Sequence, residues 1–423
     1  MANKQQESLH SLPLVAIDFG SSCVRAMAAE YTEDGLLRVL GVHTKSKFPC
    51  VEEGVISNSS NAGFIISEKL KLLANLSHVS SLPSAFVCVG GKTMQIVDVF
   101  STRDQVRKRE ITRDLLDDME AECKQKIEAR NPQAAVLDLI PTYFVLDHKQ
   151  QDEIPTPDQR AAVVETHFTA FVGMRDLEQK VLDSFDRSTK HLEHIYVRPD
   201  ALLCALTSDE DLPRGCAILD MGAQTTTLTI YKGNQYLFNK VITQGGYNIS
   251  RGIEKQGISW DYAEKLKCQY GVASPDMVET NYRMRIPARG GEVVIDTIGL
   301  ATVIASELDH ILDPLMEALR AYEDRIGVLY LTGGASMLQG MEQYVQSKTT
   351  IPVMYGSHAM FLTADTPDEM CEPVYSSLIG TLLLGADYRK NHPDIPNNSK
   401  KKTLIDRIKE ETLDMFSGQS DSY

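Results

Sequence analysis

Two short segments pair an aspartate with a tight turn of small and hydroxyl-bearing residues, a combination suited to holding phosphate. The first is LVAIDFGSS at 14–22, which runs on into the β-prone CVRAMA. The second is CAILDMGAQTTT at 216–227, which runs on into LTIY. In each, an apolar run ends in Asp and a turn follows. Such a turn lets backbone N–H groups approach phosphate oxygens as an anion nest. The hydroxyls of Ser21, Ser22, Thr225 and Thr226 would add donors, and Gly20 and Gly222 would allow the close approach. An aspartate at a strand end can hold the water shell of Mg²⁺, which assigns Asp18 and Asp220 a metal role through water. A single copy is weakly specific, because turns favour these residues anyway. Two copies about 200 residues apart point to internal duplication and to a triphosphate clamped between two lobes.

Two further glycine pairs extend the picture. VLYLTGGASMLQG at 328–340 reads as a strand entering a turn and then a helix. Gly333, Gly334 and Ser336 would let a flat base lie against the backbone. Gly245 and Gly246 follow the β-prone run at 239–243 and are placed with the phosphate turns. Beyond them, Glu264 and Lys267 are three apart and share a helix face, where they would meet ribose hydroxyls or pair with each other.

The bulk properties narrow the class. The 423 residues predict two to four domains, and 43% hydrophobic with 24% charged residues is ordinary globular composition. A net charge of -15 disfavours a general nucleic-acid binder. No apolar run approaches the ~18–20 residues of a membrane-spanning helix, and the start shows no secretory pattern. The eight cysteines form no C-x-x-C pair and read as buried thiols of a reducing cytoplasm.

Short β-rich runs alternate with helical patterns, which predicts α/β architecture. Strand-like runs fall at 84–89, 94–101, 135–147 and 161–168, with a helix at 112–130 that starts at Thr112 and stops before Asn131-Pro132. After Tyr388 a polar, Pro-, Asn- and Lys-rich stretch reads as a linker. In the final segment, Leu404, Ile405, Ile408, Met415 and Phe416 share one helical face suited to a membrane interface or to a protein surface.

The order of these elements resembles the actin-like ATPase superfamily, and within it the FtsA family of bacterial cell-division proteins. The carrying runs are IDFGSS, LDMGAQTT, ITQGGYNIS, WDYAEKLK and LTGGASMLQGM, and the likeness spans about 13–388. It implies a two-lobed fold of duplicated ribonuclease-H-like cores with an inserted α+β subdomain in the first lobe. The expected division is a disordered 1–12; a first-lobe core of 13–83, 164–206 and 374–390; an insert at 84–163; a second-lobe core of 207–243 and 297–373; an outer subdomain at 244–296; a linker at 391–402; and an amphipathic membrane-targeting helix at 403–416. It further implies ATP with Mg²⁺ as ligands and self-assembly into filaments. The implied partners are FtsZ, inner-membrane lipid and later division proteins, at the cytoplasmic face of the membrane at the septum.

Three departures bear on chemistry. Cys23 stands where the family often has a phosphate-reaching Lys. Thr227 stands in the place of an Asp. Arg198 stands where an acid or Gln would position the attacking water, and a guanidinium cannot be a base. At most a weak ATPase is expected, with no catalytic residue assigned. The same residues bear on other functions of the fold. A sugar kinase needs a carboxylate base that is not evident. A chaperone ATPase needs a following domain where only about 35 residues remain. A pilus or secretion scaffold remains the alternative.

Overall fold

A computed structural model describes residues 12–46, 50–208, 210–288 and 291–390. The N-terminal segment before residue 12, the 391–402 linker and the 403–416 helix lie outside the described residues. No helix among the described residues is long and apolar enough to cross a membrane.

Two five-stranded sheets share one strand order. In the first, the pivot strand Leu14–Phe19 pairs antiparallel with Cys23–Tyr31, which pairs antiparallel with Leu37–Ser46. On its other side lie Ser84–Val89 and then His191–Val197, both parallel. In the second, Cys216–Met221 is the pivot. Thr226–Lys232 and Gln235–Ile242 run antiparallel on one side, and Val328–Thr332 and Val353–Tyr355 parallel on the other. The duplication expected from the paired turns is thus present strand by strand.

Strand alternation explains how one apolar run serves two cores. Val15 and Ile17 pack with Ile65, Leu70 and Phe185, from helices Ser59–Leu76 and Arg175–Ser188. Leu14 and Ala16 point the other way, to Leu378 and Leu382 of the closing helix Ser376–Lys390. In the second lobe, Ile304, Leu308, Ile311 and Leu315 of helix Thr297–Arg320 cover Leu219, Leu329 and Leu331. The closing helix also crosses helix Arg198–Leu206 so tightly that a Cβ at Gly380 would lie 1.8 Å from the Ala201 carbonyl oxygen. At its far end the buried Arg389 donates from Nε and Nη2 to Glu193, at 2.9 and 2.6 Å, and from Nη1 to the Leu12 carbonyl at 2.6 Å. This fork ties the end of the closing helix to the first sheet.

The insert begins later than expected. Ser84–Val89, assigned above to the insert, is a fully buried strand of the core sheet, covered on both faces as parallel strands are. The inserted sheet itself comprises Gln95–Glu110, Arg160–Met174, Ala134–Leu146 and Lys149–Gln151 in that spatial order, so it also continues past residue 163. Its helix Arg113–Arg130 starts where the sequence predicts, with Thr112 Oγ1 accepting from the Leu115 amide at 3.3 Å.

The most completely buried charged side chain of the first lobe is a lysine. Lys69 is fully buried and donates to the His43 carbonyl at 2.8 Å, with its Nζ 3.0 Å from His43 Nδ1. Burial pulls its pKa down to about 8, outweighing the upward effect of Glu68. Between pH 8 and 10.5 the folded chain therefore binds fewer protons at Lys69 than the unfolded chain, so stability rises with pH there. Lys69→Met removes that dependence. In urea unfolding series, wild type should gain on the variant by up to roughly 1.4 kcal/mol per pH unit across this window, and parallel curves would contradict the assignment.

Candidate functional site: a cleft between two matching turns

The two Asp-bearing turns close in the same way. The Gly20 amide donates to the Cys23 carbonyl at 3.1 Å, and the Gly222 amide to the Thr225 carbonyl at 2.8 Å. Both turns line one cleft of about 540 Å³, a volume typical of small-molecule sites. Asp18, Gly20, Ser21 and Ser22 reach it from the first lobe, and Asp220, Gly222 and Thr225 from the second. Gly246, Glu264, Lys267, Gly333 and Gly334 complete the predicted set that lines it. Gly333 has φ +86°, and a Cβ there would lie 2.4 Å from Asp220 Oδ1, so only glycine lets this backbone pass the carboxylate.

Three predicted residues do not reach the cleft. Thr226 is fully buried and donates to the Gln244 carbonyl at 2.8 Å, because the alternation after Thr225 turns it inward. Ser336 is fully buried and donates to the Gly333 carbonyl at 2.7 Å, closing its own turn. Gly245 packs on the second turn, where a Cβ would come 2.5 Å from the Gly222 carbonyl oxygen. The amides at this helix start are also engaged. Gly245 donates to Asn248 Oδ1, Gly246 to the Gly222 carbonyl and Tyr247 to the Ala223 carbonyl, at 3.0, 2.9 and 2.7 Å. Gly245 and Gly246 thus shape the second turn, and their amides are not offered to a phosphate.

Glu264 and Lys267 pair with each other at 2.9 Å. Lys267 also donates to the Gly246 carbonyl at 3.0 Å, and Ser250 to Glu264 at 2.5 Å. Their polar atoms are fixed at the cleft wall. Beside them, Cys268 is exposed and lines the cleft, unlike Cys23, Cys50, Cys88, Cys123 and Cys216, which are buried as expected.

The charge arrangement was not legible in the turns alone. Arg198, at the head of helix Arg198–Leu206, places its guanidinium against the Asp18 carboxylate in a close ion pair. Ser377 donates to the other Asp18 oxygen at 3.2 Å. Burial by itself would raise the Asp18 pKa, but Arg198 outweighs it and holds the group below its ordinary value. Asp220 has the opposite balance. Burial raises it, Arg198 offsets only part of this, and the nearby Asp18 charge adds to the rise. Arg25 is the cross-strand neighbour of Asp18 and also lines the cleft.

A hairpin bridges the lobes at the cleft edge. Between Val51–Glu52 and Val55–Ile56, the Glu53 amide donates to Gln224 Oε1 at 2.7 Å and the Gly54 amide to Ser21 Oγ at 3.2 Å. One tip thereby touches both turns.

With this geometry described, comparison with known proteins places the molecule. Solved structures show the fold. It matches the PilM–PilN type IV pilus biogenesis complex with a TM-score of 0.64 at 15% identity, covering 88% of this chain and 98% of that one. It matches MreB5 of Spiroplasma citri bound to ADP with a TM-score of 0.54 at 12% identity, covering 91% and 100%. The fold is thus that of the actin-like ATPases, two lobed and α/β. Residues 217–380 match the family model described as "Cell division protein FtsA". The cell division protein FtsA of Streptococcus pneumoniae is 24% identical over 336 residues, 78% of this chain and 72% of that protein. Over these stretches the chain is similar to the FtsA proteins, as the motifs implied.

The hairpin clasp generates a test. Gln224→Ala removes one inter-lobe hydrogen bond, worth ~1 kcal/mol. Hydrogen exchange of the 50–57 peptide should quicken about fivefold while the bulk of the chain is unchanged. Unaltered exchange there would show that the clasp carries no stability.

Proposed function

We propose that this protein is an actin-like cell-division protein whose cleft binds a purine nucleoside triphosphate, ATP. The carrying observation is the pair of identically closed turns, one from each lobe, facing a single cleft. Kinship with FtsA proteins supports the division role, and the nucleotide in the name of the MreB5 structure supports the ligand class. In this reading Gly20, Ser21, Ser22, Gly222 and Thr225 take the phosphates. Glu264 and Lys267 face the ribose, and Gly333 and Gly334 lie against the base. Turnover is slow, since Arg198 offers no base where water would be positioned.

Magnesium is the part of the expectation that these residues fit poorly. Asp18, which would hold its water shell, already has one oxygen on Arg198 and the other on Ser377.

We further propose that the chain assembles head to tail, a contact that does not close and so makes filaments. The inserted sheet takes part in that contact, and the outer part of the second lobe at 244–296 receives FtsZ. The tail face of Leu404, Ile405, Ile408, Met415 and Phe416 holds the assembly to the cytoplasmic face of the inner membrane at the septum, where later division proteins join. Charges within the tail nearly balance, so a single tail binds weakly and many on one filament gain by avidity, ~10²–10⁴ over one site.

Two measurements check these statements. Isothermal titration should show saturable ATP binding to well-folded protein, and none would remove the nucleotide from the account. Ile408→Glu should leave ATP binding intact while releasing the protein from anionic liposomes in co-sedimentation. A variant that stays fully bound would assign the tail to a protein surface instead.

A further inference from the structure

The cleft keeps its own cations. Arg198 is anchored by Asp18, and its charge also acts on Asp220. It lies so close to the backbone that a Cβ at Gly90 would be 3.1 Å from its Nε. The guanidinium therefore occupies the space beside the strand-end carboxylate where a hydrated metal would otherwise gather. Arg25 enters the same cleft from the neighbouring strand, two residues after Cys23 and so on the same strand face. It stands in register with Asp18 and makes no ion pair among the described residues. A Lys missing at position 23 is in this way matched by an Arg at 25.

We propose that Arg25 and Arg198 form a metal-free polyphosphate clamp, so that the cleft binds nucleoside di- and triphosphates without a divalent cation. The inference rests on the nucleotide reading above and specifies how the charge is neutralised. Guanidinium groups stay protonated and donate in a planar fork that matches phosphate oxygens. Arg198 is held in place before the ligand arrives, so little side-chain freedom is lost on binding. Arg25 supplies charge that no carboxylate ion pair neutralises. Three cationic side chains, Arg25, Arg198 and Lys267, face three carboxylates, Asp18, Asp220 and Glu264, along the cleft. Two of those cations are committed to carboxylates, Arg198 to Asp18 and Lys267 to Glu264, which leaves Arg25, whose charge acts on Asp18 without pairing to it, as the one most open to a phosphate.

The test is isothermal titration of the full chain with ATP and with ADP, each in excess EDTA and in millimolar Mg²⁺. The expected result is binding in both buffers with dissociation constants within about threefold. Arg25→Gln should weaken binding about tenfold or more in EDTA and less in Mg²⁺. The double variant Asp18→Asn with Arg198→Gln removes the buried pair together, which avoids an unpaired charge, and should abolish binding in EDTA while circular dichroism stays native. Binding by wild type in Mg²⁺ alone overturns the clamp and leaves the nucleotide reading standing. Unchanged EDTA binding by Arg25→Gln also overturns it. Binding in neither buffer removes both.

Discussion

The ion pair of Arg198 with Asp18 organises the centre of this molecule. A carboxylate at the end of a buried central strand is costly unless a counter-charge accompanies it. Here the counter-charge comes from the first residue of a helix that follows the last strand of the same sheet. Its position depends on the neighbouring crossing, where Gly380 lets the closing helix meet the Ala201 backbone. That same helix brings Ser377 to the second Asp18 oxygen. A strand end, a helix start and the closing helix, separated by about 180 residues at each step, are thus joined at one carboxylate.

The duplication shows how one turn can be used in two ways. Both Asp turns close with the same i to i+3 amide bond. The first then offers Ser21 to a hairpin of its own lobe. The second has Ala223 and Gln224 in the matching places. Its carbonyls at 222 and 223 accept from the amides that open helix Gly246–Glu254. A helix start would ordinarily attract an anion. Here it is spent on holding the second turn, and so the phosphate recognition proposed above would fall to the turns themselves and to the side-chain cations.

Much of this was legible in the sequence, for a physical reason. The pivot strands are buried on both faces, so they read as unbroken apolar runs that end in a charged residue. The inserted helix is announced by Thr112 and stopped by Asn131-Pro132. Local patterns of this kind carry their own signal. Thr226 and Ser336 were misplaced because composition marks a turn without saying which hydroxyl faces in, and each instead satisfies a nearby backbone carbonyl. The limit at residue 84 was missed because Ser84–Val89 pairs with strands far away in the chain, and no local feature separates a core strand from an inserted one. Arg198 drew notice only as a departure. That it neutralises Asp18 depends on a contact across 180 residues.

The position of the cleft gives its ligand leverage over shape. The two turns belong to different sheets, and the sheets are joined across the cleft edge by a hydrogen bond between Gln224 and the Glu53 amide. A ligand bound to one turn alone would leave the lobes as free to part as before. A polyphosphate touching both binds the closed arrangement better than the open one, and only that difference shifts the equilibrium. A tenfold preference is worth ~1.4 kcal/mol, about the scale of that one hydrogen bond. The cleft therefore needs no strong binding to matter. Modest affinity spread over both turns would suffice to hold the lobes in one relation, and a fixed relation between lobes is what the head-to-tail stacking proposed above requires.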